Sequence, residues 1–319
     1  MVKIAIAGGS GNVAQEIIDG LVATKKHEIL LFTRKDPPPS DPSSAVTWAK
    51  TDYLDVKQLT SLLAGTHTVF SFVAPYLDQE EAFNAQKNLI DASIQAGVKR
   101  FAPSEWASAN FAHLSWYTYK AKTREYLSAI NKDAKVLEYC LFQPGLFTNY
   151  LTWPHSSAKH VKSLDTPWDY GNRRILQREG GEEDIITLTT VDDLVNVVVR
   201  AVEFDGEWPT NGGIRGTQLT MAELVALGEK IRGGKFTVED FKSEDLESGS
   251  FKPSWLPKLE HPSIAPEHVD AASKMIVQGF LLAFPEKAFD IGDQWNKILP
   301  NYKFTGAEEF LTEAWKGKP

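Results

Sequence analysis

The chain begins "VKIAIAGGSGNVAQEII", an apolar, β-branched run that breaks into glycines and continues as an amphipathic stretch. Such an order is a strand, a tight turn and a helix within 20 residues, and it severely restricts what can follow. Gly8 permits the turn, Gly11 lets another group approach the backbone, and the small Ala14 lets the helix pack closely on the strand. The N–H groups around Ser10, Asn12 and Val13 then face outward at the helix start, an arrangement suited to a pyrophosphate. A glycine pattern alone carries little weight; its place at the first βα turn of a βαβ series gives it meaning.

That series is present. Strand-like runs "KIAIAG", "HEILLFTR", "AVTWAKTD", "HTVFSFVA", "VKRFAPS" and "KVLEYCLFQ" alternate with helix-like stretches, several closed by glycine, as at Gly65 and Gly97. Regular alternation predicts an α/β protein of Rossmann type, a doubly wound parallel sheet with helices on both faces. The pattern changes near residue 150. "TWPHSSAKHVKSLDTPWDYGNRR" reads as loop or lid, and "DIITLTTVDDLVNVVVRAVEF" adds a strand and a helix that Asp192 or Asp193 would cap. "QLTMAELVALGEKIRGG" reads as a helix behind a Thr cap, and "GAEEFLTEAWKG" as a terminal one. The expected division is a nucleotide-binding domain over 1–150, with 184–204 returning to it, and a smaller α/β substrate-side domain over 151–319. "DPPPSDPSS" at 36–44 reads as a surface loop.

Several classes are disfavoured. A formal charge of −8 favours no nucleic acid or other polyanion. The single cysteine, Cys140, precludes an intrachain disulfide, fits a reducing compartment and, within "VLEYCLF", reads as a buried thiol. No metal cluster is visible: His155 and His160 are out of helical phase, with no cysteine nearby. "GGSGN" is not a serine-hydrolase elbow. No apolar run approaches the ~18 residues of a membrane span, and the opening strand leaves no room for a signal peptide, so a cytoplasmic protein is expected.

The end of the second strand distinguishes the two nicotinamide dinucleotides. NAD sites usually place a carboxylate there. Here Arg34 and Lys35 follow "LLFT", and a pair of cations favours the 2′-phosphate of NADP(H). Asp52, after the third strand, is placed for an adenine contact or for helix capping. Val73, Ala74 and Pro75 end the fourth strand along the cofactor's middle, and Gln86 turns its amide toward cofactor or solvent.

"SWYTYKAK" at 115–122 brings two tyrosines and two lysines together without the Tyr-x-x-x-Lys spacing of many oxidoreductases. On a helix over 115–131, advancing ~100° per residue, Lys120 shares a face with Trp116, Thr123, Leu127 and Ile130, whereas Lys122 lies roughly 160° away. Lys120 therefore points inward, where burial and Arg124 one turn later lower its pKa toward the range useful for acid–base work. Tyr117 and Ser104 are weaker candidates to orient a substrate oxygen. Trp106, Trp116, Phe147, Tyr150 and Trp153 are the substrate-side candidates; Trp168 and Tyr170 join the aromatics that would wall an apolar pocket.

Four segments resemble the NmrA-like and isoflavone-reductase-like family of atypical short-chain dehydrogenases: "AGGSGNVA", "AGVKRFAPSEW", "YKAKTRE" and "LPNYKFTGAEEFL". The likeness covers most of the chain and is weakest over 151–185. It implies an NADPH cofactor, a proton-transfer role and a nicotinamide-ribose contact for Lys120, and a path past the nicotinamide for "FQPGLFTN", with Pro144 and Phe147. Ala14 in place of a third glycine and "PSEW" without the following Phe-Gly are departures, and plant phenolic substrates are not implied. The reading is an NADPH-dependent reductase of a small aromatic or conjugated molecule, acting as monomer or homodimer. The alternatives are a non-catalytic NADP sensor that binds a protein, and a lyase or isomerase on the same fold.

Overall fold

The computed structural model describes residues 2–37, 45–74, 78–258 and 266–319. Most of the loop expected at 36–44, and Pro75, lie outside the described residues. The chain divides into two compact units: Met1–Trp106, Trp116–Phe142 and Val195–Gly212 form the first, and Ala107–Ser115, Gln143–Leu194 and Gly213–Pro319 the second.

In the first unit, β1 (Lys3–Ala7), α1 (Asn12–Thr24), β2 (Glu28–Thr33), β3 (Val46–Lys50), α2 (Val56–Leu62), β4 (Thr68–Ser71), α3 (Gln79–Gln95), β5 (Arg100–Ala102), α4 (Thr118–Ile130) and β6 (Glu138–Tyr139) follow in order. The strands pair in parallel as β3-β2-β1-β4-β5-β6, the doubly wound order in which the sheet reverses direction between β1 and β4. Ile6 lies opposite Leu31 on one side and Phe70 on the other, so the middle of β1 is buried on both faces. One face packs Ala5, Phe32 and Val69 against Leu59, Leu89 and Leu127 of α2, α3 and α4. Elsewhere in this unit α1 meets the stretch after Val195 so closely that a Cβ on Gly20 would come within 2.3 Å of Val195.

Two local details differ from the expectation. The run expected as one strand over "KVLEYCLFQ" breaks at Cys140, a buried thiol, into β6 and β7 (Leu141–Gln143). The helix expected from 115 begins with a 3₁₀ turn, Ser115–Tyr117, before α4. The side-chain amide of Gln79 holds that junction: its Nε2 donates to the Trp116 carbonyl at 3.1 Å, and its Oε1 accepts from the Tyr119 N–H at 3.2 Å. A side chain from α3 thus supplies the cap that α4 lacks locally.

The chain continues with β8 (Leu146–Phe147), β9 (Trp168–Asp169), β10 (Arg174–Arg178), β11 (Ile185–Thr189), α5 (Val191–Glu203), β12 (Asn211–Gly213), β13 (Thr217–Thr220), α6 (Met221–Arg232), β14 (Thr237–Phe241), α7 (Ser243–Glu247), α8 (Val269–Ala283), α9 (Gln294–Ile298) and α10 (Ala307–Trp315). In the second unit β10 pairs parallel with β14 and antiparallel with β9. β11 pairs antiparallel with β13 and parallel with β8, whereas residues after Val195 cluster with the first unit. Thr220 and Glu223 form a full capping box on α6. At the start of α5 the cap is Thr190 rather than either aspartate: its hydroxyl accepts from the Asp193 N–H at 3.1 Å. Asp193 instead accepts from the Tyr302 hydroxyl at 2.6 Å and the Thr305 N–H at 3.0 Å. Trp168 and Tyr170 do not wall a pocket: both are about 1% exposed. Trp168 packs edge-on against Phe280 and Phe284, and the Tyr170 hydroxyl donates to the Leu224 carbonyl at 2.6 Å.

Candidate functional site

The turn after β1 is built for close approach. Gly8 has φ +74°, and a Cβ there would lie 2.7 Å from the Phe72 carbonyl carbon and 2.9 Å from the Val73 nitrogen. The turn therefore abuts the chain leaving β4, at the carboxyl ends of the two strands where the sheet reverses. Its Gly8 N–H donates at 3.1 Å to the hydroxyl of Tyr53, whose pKa burial pushes up to about 12. α1 starts at Gly11 with no side-chain cap and no acidic residue in its first turn. Ser10 and Asn12 are exposed and Val13 is half-buried, so their N–H groups can receive an anion, whereas the Gly11 N–H closes the turn on the Gly8 carbonyl at 3.1 Å.

Around the turn, Arg34 is half exposed, 3.5 Å from Glu81 and 5.8 Å from the centre of the Tyr53 ring. Lys35 is exposed, and its N–H donates to the Thr33 hydroxyl. No carboxylate stands at the end of β2, where the first two residues are these cations. Asp52 accepts from the Leu54 N–H at 2.9 Å, whereas Asp55 caps α2. Val73 is buried and Ala74 exposed. Gln86 is wholly buried: its amide nitrogen holds the Ser71 hydroxyl at 2.8 Å and the Val73 carbonyl at 3.0 Å, while its carbonyl oxygen has no partner. These features fit a phosphate-bearing dinucleotide, with a cradle that a side chain would fill and cations where a second phosphate would need them.

Lys120 is 6% exposed, whereas the Lys122 ammonium lies on the outer side and pairs with Glu80. The Lys120 ammonium donates to the main-chain carbonyl of Glu105 and stands 3.9 Å from the centre of the Tyr117 ring. Burial lowers its pKa to about 8; the Glu105 charge opposes the shift and that of Arg124 adds to it. Tyr119, a turn before Thr123, shares a hydrogen bond with Ser104. Burial raises the pKa of both Tyr119 and Tyr117, so neither phenol is a base near neutrality. The Lys120 amine thus titrates closer to neutrality than an exposed lysine does.

Glu105, Tyr119, Tyr53 and Gln79 had no role in the sequence reading. A carboxylate at the end of an apolar strand was the signal for Glu105; the others had none. Trp106 is held in packing, stacked between Phe72 at 4.5 Å and Phe142 at 5.3 Å, its indole N–H donating to the Ser71 carbonyl at 2.8 Å. Trp116 is half-buried beside Tyr117. Pro144, Phe147, Tyr150 and Trp153 belong to the second unit, where Phe147 is buried edge-on to Tyr150 and the latter two aromatics are half-buried. Among the described residues no helix is long and apolar enough to cross a membrane, and no cluster of metal-ligating side chains occurs.

A parallel sheet in 3-2-1-4-5-6 order with a glycine cradle at its reversal defines a Rossmann-type dinucleotide-binding fold. The NmrA-like family profile matches residues 2–253, and the chain belongs to that family. It is 29% identical over 260 residues to Oxidoreductase BOA1 of Botryotinia fuckeliana, covering 80% of this chain and 83% of that one. Two solved structures share the fold: the NADPH-dependent quinone oxidoreductase QOR2 of Escherichia coli, complexed with NADPH (TM-score 0.67, 19% identity, 98% of this chain and 100% of that one), and isoflavone reductase (TM-score 0.67, 19% identity, 98% of each).

Proposed function

We propose that the protein is an NADP(H)-dependent oxidoreductase that reduces a small aromatic or conjugated molecule. The observation that carries this reading is Lys120, a buried ammonium with its pKa near 8 in the unit that also holds the glycine cradle. The name of the BOA1 relative and the NADPH of the quinone oxidoreductase structure support the redox class and the cofactor.

Bound NADPH would supply a hydride from C4 of its nicotinamide. The N–H groups of Ser10, Asn12 and Val13 would hold the pyrophosphate, and Arg34 with Lys35 would take the 2′-phosphate. Lys120 handles the substrate proton, directly or through a water, and at pH 7 about nine in ten molecules carry that proton. Ser104 and Tyr119, already hydrogen-bonded, orient the neighbouring oxygen.

The test is nicotinamide absorbance with purified protein, NADPH and a panel of aromatic enones, enol ethers and quinones. Turnover is expected with at least one class. Lys120→Ala should lower kcat by roughly 10²–10⁴-fold while NADPH still binds. Tight NADPH binding with no turnover across the panel would refute the reductase reading in favour of a sensor.

A further inference from the structure

We propose that Glu105 is the positioning residue of Lys120: its carbonyl places the ammonium, and its carboxylate balances Arg124, the second cation on the same helix. This rests on the reading of Lys120 as the proton-handling group. The Glu105 side chain is 1% exposed, and a buried carboxylate needs a partner. Arg124 supplies a fork, Nε to Oε1 at 3.0 Å and Nη2 to Oε2 at 2.5 Å. The main-chain oxygen of the same residue accepts from Lys120. One residue thus grips two cations one helical turn apart, each through a different group.

The backbone that aims this carbonyl is itself locked. The Glu105 N–H donates to the Pro103 carbonyl at 2.7 Å, and the next residue, Trp106, has φ +53°. Left-handed backbone is unfavourable for a tryptophan, and here the stack on Phe72 and Phe142 and the bond to the Ser71 carbonyl hold it. The aromatic packing around Trp106 therefore has a second consequence, fixing the carbonyl to which Lys120 donates.

The charges facing Lys120 are those of Glu105 and Arg124, beside the neutral phenols of Tyr117 and Tyr119. On α3, which packs against α4, Glu80 is engaged by Lys122, and Asp91 by Lys87 and Tyr126. Glu105 favours the protonated amine and Arg124 disfavours it. Their removal must therefore displace the Lys120 titration in opposite directions, a signature that a purely structural pair lacks.

Competitive acetylation of Lys120 with acetic anhydride, followed against pH by peptide mass spectrometry, reads the amine without turnover. The midpoint near 8 should fall by about one unit or more in Glu105→Gln, which keeps the carbonyl, and rise in Arg124→Gln. The double variant should return toward the parent. Midpoints that stay in place, or move the same way in both variants, overturn the proposal, whatever happens to kcat. Should Glu105→Gln fail to fold, the double variant Glu105→Gln/Arg124→Gln decides, since the loss of the Glu105 charge must place its midpoint below that of Arg124→Gln. Displaced midpoints in a protein that reduces nothing would uphold the positioning and sink the reductase reading. Unmoved midpoints in an active reductase would do the reverse.

Discussion

Gly8→Ala tests the cradle most directly. The substitution adds one carbon at φ +74°, where an L-residue is strained by ~1–2 kcal/mol. That carbon would also lie 2.7–2.9 Å from three backbone atoms of Phe72 and Val73, which cannot swing aside as a flexible side chain does. Overpacking of this kind costs a further ~1–3 kcal/mol. Together these give roughly 2–5 kcal/mol, a large part of the ~5–15 kcal/mol by which most domains are folded. A melting-temperature loss of roughly 5–15 °C is expected by calorimetry. Gly11→Ala is the control: φ is −72° and the nearest atom to the new carbon is 3.4 Å away. It should melt within about 2 °C of the parent yet bind NADPH at least ~10-fold more weakly, because its methyl occupies the phosphate's approach. A Gly8→Ala protein that melts with the parent would refute the reasoning, since the cradle would then be soft.

Arg34→Ala should weaken NADPH by about tenfold or more and NADH much less, measured by fluorescence titration; equal weakening would sink the assignment of the 2′-phosphate to Arg34. Tyr53→Phe leaves the Gly8 N–H without its acceptor and should cost ~1–2 kcal/mol in urea unfolding; unchanged stability would show that this hydrogen bond does not hold the turn. The folded Lys120 pKa of about 8 lies below its usual 10.5, so between these values the unfolded chain binds more protons and the stability tied to this group rises with pH. The advantage of Lys120→Met over the parent should thus be largest below pH 8 and shrink by on the order of 3 kcal/mol by pH 10.5. An advantage independent of pH would show that Lys120 titrates normally.

Local pattern was enough to place every strand of the parallel sheet, because the period of its apolar runs and the glycine at the first turn are properties of short segments. The helical phase of 115–131 likewise separated Lys120 from Lys122, since 3.6-residue periodicity survives a short 3₁₀ start. The second unit was far less legible. Its strands are as short as two residues, too short for periodicity, and its aromatics divide between core and partial exposure according to partners distant in sequence.

By itself, then, the sequence determined the doubly wound sheet, the glycine turn after β1, the cationic end of β2 and the inward face of Lys120. Each follows from residues adjacent in the chain or one helical turn apart. Only the tertiary structure decided what surrounds them. Tyr53 reaches Gly8 from 45 residues away, Gln86 ties down the end of β4, and Glu105 meets Lys120 and Arg124 across 15 and 19 residues. Such partners are chosen by which strand ends and helix faces the sheet brings together, and the environment that sets a pKa is made of them.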